Sequence, residues 1–269
     1  MASPARPVGD LFREWRQRRR VSQLHLALKA DISARHLSFL ETGRSTPSRG
    51  MVLHLAAQLE VPLRERNVLL LAAGYAPAFQ ERPLQDPALS GARRAVELVL
   101  AGHEPYPALA VDRHWALVAS NRAVARLLTD VAPALLQPPV NVLRLSLHPE
   151  GLAPRIANLH EWRAHLLARL RRQVDVTADP VLAQLLRELS DYPVSGVPEP
   201  ETPASGDGYE GVIVPLRFVT GAGTLALIST TTVFGTPVDI TLSELALETF
   251  FPADAATAAI LRGLAEEQG

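Results

Sequence analysis

The stretch that decides the fold of the N-terminal part is Ser22-Gln-Leu-His-Leu-Ala27 together with Ser33-Ala-Arg-His-Leu-Ser-Phe-Leu-Glu-Thr-Gly-Arg-Ser-Thr-Pro-Ser48. Serine is a preferred N-cap residue, so Ser22 and Ser33 each predict the start of a short helix. Gly43 is suited to end the second of these helices. Two short helices joined by a tight connection are the arrangement that docks in the major groove of DNA, because the second helix presents its first residues to base edges.

Helical patterns continue on both sides of this stretch. Apolar residues recur at helical spacing over 9–20, from Met51 to Leu59, and over 63–73. Pro62 separates the last two patterns, since proline does not continue a helix. The sequence therefore predicts a compact all-α domain of five short helices.

The second region mixes strands and helices. Residues 107–112 and 115–119 predict one hairpin, and a second hairpin is predicted from 211–218 and 224–233, turning at Gly221-Ala-Gly223. Helices are predicted near 93–101, 121–128, 159–172, 181–189, 242–251 and 255–267. The segment 193–211 is rich in Pro, Gly and Glu and predicts an exposed loop. This order of elements indicates an antiparallel sheet with helices to one side.

A segment with three prolines and no periodicity, residues 75–92, separates the two regions. We therefore divide the chain into a helix-turn-helix DNA-binding domain at 1–76, a linker at 77–92 and a second domain at 93–269. The expected fold class is α+β, with an all-α five-helix domain followed by an antiparallel sheet covered by helices.

The composition narrows the class of protein. The chain has no cysteine, which excludes disulfide frameworks and thiolate metal sites. No apolar run reaches the roughly 18–20 residues that a membrane span needs, and the N-terminus lacks the apolar segment of a secretory signal. We expect a cytoplasmic protein without a membrane partner.

The formal net charge of −1 conceals an asymmetry. Residues 1–82 carry thirteen Arg and Lys against seven Asp and Glu, a net charge of +6, whereas the remainder carries fourteen against twenty-one, a net charge of −7. A basic segment on an acidic chain indicates a polyanionic partner for that segment. Solvated charged helices are the alternative interpretation.

Side chains at the start of the second short helix are candidates for base contacts. Arg35 can donate two hydrogen bonds to guanine, Ala34 can pack on a thymine methyl group, and Ser38 lies on the same outward face. The loop that follows supplies donors suited to phosphate oxygens, namely Arg44, Thr46, Ser48 and Arg49.

These residues resemble the phage-repressor (XRE) class of helix-turn-helix regulators. The stretch Leu40-Glu-Thr-Gly-Arg-Ser-Thr-Pro-Ser48 matches the Leu-Glu-x-Gly-Arg-x-x-Pro-Ser pattern of that class, with Ala27 and Leu37 at its usual packing positions. The resemblance implies a double-stranded DNA operator as partner and a DNA-backbone contact from Gln23. His25 stands where many members carry Glu, which changes only a surface contact. The full set expected at DNA is Gln23, Ser33, Ala34, Arg35, Ser38, Arg44, Thr46 and Ser48.

The rest of the chain resembles the MmyB-like group of bacterial regulators, in which such a helical domain precedes a PAS-like ligand-binding domain. Matching stretches include Ala110-Val-Asp-Arg-His-Trp115, Asn141-Val-Leu-Arg-Leu145 and Asp239-Ile-Thr-Leu-Ser-Glu-Leu245, so the resemblance covers nearly the whole chain. It implies an antiparallel sheet cupped by helices around an internal pocket. It also implies a small apolar effector such as a fatty acid, and no other cofactor is expected.

The residues expected to line such a pocket are Asn121, Asn141, Arg144, Trp162 and His165. Each has a structural alternative. Both asparagines can cap helices, and Arg144 can pair with Glu150 or Glu161. The apolar stripe from 159 to 170 can be ordinary core rather than a ligand wall.

An enzyme is the main competing class, and the sequence carries no signal for one. His160-Glu161 with His165 is reminiscent of a zinc motif, but histidines five residues apart on a helix do not share a face. Gly221-Ala-Gly223 lacks the third glycine and the following helix of a dinucleotide-binding loop. No catalytic or metal-binding residues are expected.

The resulting hypothesis is a ligand-responsive transcription regulator that binds a two-fold operator as a homodimer, since one short helix reads few bases. Two alternatives remain. The second domain can serve only to dimerise or to bind a protein partner, without an effector. The first domain can be a helical bundle used for protein contacts.

Overall fold

The computed structural model describes residues 6–193, 214–235, 237 and 239–266. The chain divides into two compact units. Among the described residues, the first unit comprises 6–83 with 175–177, 237 and 239–243. The second unit comprises 84–174, 178–193, 214–235 and 244–266.

The first unit contains the five short helices that the sequence predicts. They are α1 Val8–Arg18, α2 Gln23–Lys29, α3 Ala34–Glu41, α4 Arg49–Gln58 and α5 Leu63–Ala72. Serine fixes three of the helix starts: the hydroxyl oxygens of Ser22, Ser33 and Ser48 each accept the backbone N–H three residues ahead, at 3.1–3.2 Å. The two caps predicted at Ser22 and Ser33 are therefore confirmed.

One apolar core joins these helices, and two glycines shape its geometry. The largest fully buried side chains of this core include Phe12, Leu26, Leu37, Leu40, Leu55, Leu69 and Leu70. A Cβ at Gly9 would lie 2.4 Å from the carbonyl oxygen of Leu40, so glycine allows α1 to pack closely on α3. Gly43, just past the end of α3, has a φ of +72°, which is the left-handed conformation of a helix-ending glycine.

A buried carboxylate links the first three helices. The Glu41 side chain has 0% exposure, and its two oxygens accept hydrogen bonds from Arg16 at 2.6 and 2.9 Å. The amide nitrogen of Gln23 donates to the same carboxylate at 2.7 Å. Because the partners come from α1 and α2 and the acceptor from α3, the network fixes how the three helices pack.

The second unit contains a five-stranded antiparallel sheet with helices around it. The strands are β1 Ala108–Val111, β2 Leu117–Ser120, β3 Leu216–Thr220, β4 Gly223–Val233 and β5 Ala246–Pro252, in the spatial order β2-β1-β5-β4-β3. The later helices are α6 Ser90–Gly102, α7 Arg122–Leu127, α8 Val142–Leu147, α9 Leu159–Thr177, α10 Pro180–Asp191, α11 Ile240–Ser243 and α12 Ala255–Glu266, of which α11 belongs to the first unit. The α+β fold class is confirmed.

Both predicted hairpins are present among the described residues. β1 pairs with β2 and β3 pairs with β4, each in antiparallel register. Most of the predicted loop at 193–211, and the first residues of the predicted strand at 211–218, lie outside the described residues.

The predicted helix at 242–251 is wrong, because this segment contains strand β5. β5 lies inside the sheet, between β1 and β4, so both of its edges are hydrogen-bonded. Glu248 sits opposite Leu109 on one side and Thr231 on the other. Leu247, Glu248 and Thr249 are all buried, so the strand lacks the alternation by which a half-buried strand is recognised.

Helices cover both faces of the sheet, whereas the sequence predicts helices on one side only. Leu109 and Val111 of β1 join the large core that includes residues of α7, α8, α9 and α10. Ala108 and Ala110, which alternate with them, pack with Val96 of α6 on the opposite face. The small alanine side chains allow α6 to lie close to the strand.

Part of the segment expected to be a linker, 77–92, is helical. A single 3-10 turn spans Pro87–Leu89, and α6 begins at Ser90. The Asp86 side chain starts this turn by accepting the backbone N–H of Ala88 at 2.8 Å.

Removal of the Glu41 carboxylate should destabilise the first unit strongly. In Glu41→Ala, Arg16 keeps only 12% exposure and loses its anionic partner, so we expect a loss of about 3–5 kcal/mol. The measurement is hydrogen exchange of the α1, α2 and α3 backbone amides in the full chain, which reports the free energy of opening of this unit.

The matched control is Glu14→Ala, which also removes a glutamate paired with arginine. Glu14 is 40% exposed and pairs with Arg6 and Arg18, so solvent screens the interaction and we expect a change within about 1 kcal/mol. Equal losses in the two variants would contradict the role assigned to Glu41.

Candidate nucleic-acid interface and ligand cavity

The start of α3 forms an exposed polar surface. Ser33, Ala34 and Arg35 are exposed, and Ser38, one turn further along, is half-buried. The hydroxyl oxygen of Ser33 accepts the helix-capping N–H of His36, so its own O–H is left to donate to another group. The structure therefore brings these four residues of the expected DNA-contacting set together on the first turns of one helix.

An aromatic ring orients two of the candidate arginines. The guanidinium carbon of Arg35 lies 5.3 Å from the centre of the Phe39 ring, and that of Arg44 lies 5.8 Å from it. Both distances are within the range of cation–π attraction. Sequence reasoning did not assign Phe39 a role, although its position four residues after Arg35 places it on the same helix face.

The loop between α3 and α4 holds the remaining expected phosphate donors. Arg44, Thr46 and Ser48 are all exposed. The Ser48 hydroxyl oxygen accepts the N–H of Met51 at 3.2 Å and retains its hydrogen for donation. Exposed donors next to a recognition helix suit the phosphate contacts that position a protein on DNA.

The side chain of Gln23 is held by the buried Glu41. Its amide nitrogen donates one hydrogen bond to that carboxylate at 2.7 Å. A primary amide nitrogen carries two hydrogens, so the second can donate to a phosphate oxygen at the start of α2. Glu41, which sequence reasoning noted only as part of a motif, thus has an identifiable role as the anchor of Gln23.

The second unit holds an apolar cavity of about 110 Å³. It lies between the sheet and the helices α7, α8 and α9. Its apolar wall includes Leu109, Trp115, Leu117, Val124, Leu143, Trp162, Leu166, Phe218, Leu227 and Phe250. The volume is of the same order as that of a dry apolar cavity of roughly 150 Å³ that takes up benzene in another protein.

Trp115 enters the cavity wall from an uncommon backbone conformation. It has a φ of +65°, which is rare for a bulky side chain, and its side chain is nevertheless buried. The Asp112 carboxylate holds the turn by accepting the N–H groups of His114 and Ala116 at 2.8 Å each. The indole N–H donates to Gln173 at 2.8 Å, so the ring is fixed at both ends. Conformations of this kind cluster at binding sites.

The polar part of the wall is small and electrically balanced. The charged residues among the described lining residues are Arg169 of α9 and Glu248 of β5, and they form an ion pair at 2.5 Å. Ser146 and Ser229 add two neutral hydroxyl groups. The sequence did not reveal Glu248 because its strand was predicted as a helix. Arg169 could have been predicted from the sequence, because it follows Trp162 by two helical turns.

Of the five residues expected to line a pocket, Trp162 lies in the cavity wall. Asn121 is buried, accepts the backbone N–H of Ala108 at 3.1 Å and donates to the carbonyls of Leu100 and Tyr106. It therefore ties β1 to the end of α6. Asn141 caps α8 through the N–H groups of the next turn, at 3.1 and 3.0 Å, which is the structural alternative considered for it.

Arg144 and His165 are also outside the cavity wall. Arg144 pairs with Glu188 through two hydrogen bonds of 2.6 and 2.7 Å, rather than with Glu150 or Glu161. These hydrogen bonds raise the pKa of Arg144 and lower that of Glu188. His165 stacks on Trp162 with a centroid distance of 5.5 Å. Burial, followed by the nearby arginines, lowers the pKa of His165, which favours the neutral form of its ring.

The described residues also bear on metal sites and on membrane spans. No group of three or more His, Asp or Glu side chains in this part of the chain is arranged to hold a metal ion. Over the same residues, the helices are all too short or too polar to cross a membrane.

A helix-turn-helix unit with exposed arginines, followed by an α+β unit with an apolar cavity, defines a DNA-binding regulator with a ligand-binding domain. Residues 92–264 match the MmyB-like transcription regulator ligand binding domain, and residues 7–69 match a helix-turn-helix domain family. The chain therefore belongs to the family of MmyB-like transcription regulators.

A curated relative is also described as a helix-turn-helix regulator. The chain is 38% identical over 76 residues to the uncharacterized HTH-type transcriptional regulator RghRB of Bacillus subtilis (strain 168). The match covers 28% of this chain and 52% of the relative, so the chain spans about half the length of that protein. Together the two family matches point to a transcription regulator.

Replacement of Phe39 should weaken DNA binding without unfolding the unit. In Phe39→Leu the two arginines lose the ring that holds them, so each must be ordered when DNA binds, which costs about 0.5–1.5 kcal/mol per side chain. We expect affinity for a selected operator to fall by about 1–2 kcal/mol, measured by fluorescence anisotropy. Phe39→Tyr keeps the ring and should keep the affinity, so an equal loss in both variants would argue against a role for the ring.

Proposed function

We propose that this protein is a sequence-specific regulator that binds a double-stranded DNA operator through α3 and whose affinity for DNA responds to a small apolar effector. The single observation that carries the proposal is the apolar cavity of about 110 Å³ in a chain whose other unit is a DNA-binding domain. A cavity of this kind, apolar with a few polar groups, is the usual form of a small-molecule site.

The DNA-binding half of the proposal assigns two roles to exposed side chains. Arg35, Ala34 and Ser38 face base edges, because they lie on the first two turns of the recognition helix. The phosphate-contacting set is Gln23, Ser33, Arg44, Thr46 and Ser48.

The regulatory half of the proposal involves a homodimer. One eight-residue helix reads few bases, so a two-fold operator with two half-sites supplies the missing specificity. An effector that binds one arrangement of the dimer more tightly than another shifts the population between them and thereby the affinity for the operator. Light scattering of the full chain on operator DNA tests this part, and a monomer on DNA would overturn it.

The chemistry of the cavity wall favours an apolar effector. The cavity volume of about 110 Å³ is of the order of one that holds benzene, and the cavity is partly open rather than enclosed. The fatty acid implied by the family resemblance shares this apolar chemistry.

The experiment that tests the effector is native mass spectrometry of the full chain against the same measurement after denaturation. A reproducible extra mass that is lost on denaturation, and whose removal changes operator affinity, is the expected result. A native mass equal to the bare chain or its dimer, with no response to added apolar compounds, would favour a second unit that only dimerises or binds a protein partner.

Two arginine variants should separate base reading from phosphate contact. Arg35→Ala should relax the base preference at one position of each half-site and cost about 1–3 kcal/mol. Arg44→Ala should weaken all sequences alike and reduce the salt dependence by about one phosphate contact. A binding selection followed by a salt titration measures both effects.

The matched control for these variants is Arg94→Ala, which removes an exposed arginine of α6 in the second unit. It changes the net charge by the same amount as Arg35→Ala or Arg44→Ala, but it should leave the base preference and the salt dependence of DNA binding unchanged. If Arg44→Ala altered base preference and Arg35→Ala did not, the two roles would have to be exchanged.

A further inference from the structure

We propose that residues 239–243, which lie between β4 and β5 in the chain, form a strap through which the state of the cavity reaches the DNA-binding unit. The chain leaves the second unit after Gly235, contributes the strap to the first unit and returns to the second unit at Glu244. The proposal rests on the proposed function, because it takes the cavity as the place where an effector acts. It adds the covalent route from that cavity to the DNA-binding unit.

Backbone and side-chain hydrogen bonds hold the strap within the first unit. The N–H of Ile240 donates to the carbonyl oxygen of Gln80 at 2.9 Å, and Asp239 forms a parallel β-bridge with Gln80. The hydroxyl group of Thr241 donates to the carbonyl oxygen of Arg82 at 2.6 Å. The Ile240 side chain is buried, and α11 lies against α5. The strap is therefore packed as part of the first unit although it is continuous with the sheet of the second.

The residues that receive the strap directly follow a stretch that is tied to α5. The side-chain oxygen of Asn67 accepts the N–H groups of Ala78 and Phe79 at 2.9 and 3.1 Å, and its amide nitrogen donates to the carbonyl oxygen of Phe79 at 2.7 Å. Leu70 of α5 lies in the same apolar core as Leu37 of the recognition helix α3. A change in how the strap docks can therefore pass to α3 through packed side chains.

At its other end the strap is joined to two strands of the cavity wall. Val233 at the end of β4 pairs with Ala246 at the start of β5, so the two strands form a hairpin whose connection contains the strap. Ser243, the last residue of the strap, is three residues before Ala246. Ser229 of β4 and Phe250 of β5 lie opposite each other, and both line the cavity. A ligand there contacts the two strands that carry the strap.

One imperfectly satisfied charge limits the stability of the docked strap. The Asp239 side chain is 1% exposed, and its Oδ1 accepts the N–H of Thr241 at 2.9 Å. Among the described residues its Oδ2 has no hydrogen-bond partner, and Nη1 of Arg82 lies 3.6 Å away. A buried acceptor without a hydrogen bond is costly. Elements that move in allosteric transitions come from the less stable parts of a fold, and the strap meets this condition.

The test fills the cavity covalently, so it does not depend on the identity of the effector. The chain has no cysteine, so Ser229→Cys introduces a single thiol in the cavity wall. Hexyl methanethiosulfonate converts this thiol to a mixed disulfide that carries a hydrocarbon chain and releases methanesulfinate, whereas methyl methanethiosulfonate adds only a methylthio group. Reduction with dithiothreitol reverses both modifications. The affinity of each form of the full chain for a selected operator is measured by fluorescence anisotropy.

The strap is released by the double variant D239A/T241V. These substitutions remove the cap of α11, the charge beside Arg82 and the hydroxyl hydrogen bond to its carbonyl oxygen. With an intact strap, we expect the hexyl label on S229C to change operator affinity by at least about fivefold relative to the methyl label, and with the released strap by less than about twofold.

The matched control is D254A/T220V, which removes the same kinds of hydrogen bond elsewhere in the second unit. The Asp254 carboxylate accepts the N–H of Thr257 at 2.6 Å, and the Thr220 hydroxyl group donates to the carbonyl oxygen of Gly223 at 2.7 Å. In this background the hexyl label should keep its full effect on operator affinity.

Hydrogen exchange of the Ile240 amide reports docking directly, because this N–H donates to Gln80. Its exchange in the full chain should be faster in D239A/T241V and should differ by at least about fivefold between the hexyl and methyl forms of S229C. An exchange rate that is the same in both labelled forms would show that the cavity does not act on the strap and would overturn the proposal.

The outcomes separate this proposal from the proposed function. A hexyl effect on operator affinity that is equally large with the intact and the released strap would overturn the role of the strap and leave the effector role of the cavity intact. A hexyl label that changes operator affinity in none of these backgrounds would remove the effector role, and the strap proposal with it.

Discussion

A buried carboxylate needs a cation and hydrogen-bond donors as partners, and both units depend on this constraint. Glu41 forms hydrogen bonds with Arg16 and Gln23 in the first unit, and Glu248 forms them with Arg169 and Thr231 in the second. Each acceptor and its partners come from different helices or strands, so each pair settles how those elements pack. Ordinary apolar packing tolerates small shifts, whereas a two-point ion pair requires defined positions. The groups proposed to meet DNA and ligand are arranged around these two anchors.

Much of the first unit is predictable from sequence because its signals are local. A serine cap, a glycine with a positive φ and the apolar spacing of one helix each depend on a few neighbouring residues. The exposed positions of Arg35 and Arg44 follow from the same pattern. The contact of Arg44 with Phe39 depends on how the loop after α3 folds back, which the sequence does not predict. The contact of Arg35 with Phe39 is indicated only by their spacing of four residues.

The second unit is less predictable because its decisive strand is central. β5 is buried on both faces and paired on both edges, so its apolar residues show no period of two and the segment predicts a helix instead. With β5 misassigned, Glu248 could not be placed in a cavity, and Arg169 resembled any charged residue on a long helix. Asn121 and Arg144 are predicted to line a pocket from their residue type alone. Asn121 instead forms hydrogen bonds with buried backbone groups, and Arg144 pairs with a neighbouring carboxylate.

Arginine serves opposite purposes in the two units, and this difference constrains how an effector can act. On α3 and in its loop the guanidinium groups lie over a ring but face solvent, so their charge is available to DNA. In the cavity the charge of Arg169 is balanced by that of Glu248, and the rest of the wall is mostly apolar. This wall offers a ligand packing contacts rather than an unpaired charge. A ligand that fills the cavity stabilises those conformations whose helices α7, α8 and α9 close around it, and it shifts DNA affinity only to the extent that it binds these conformations more tightly than the others.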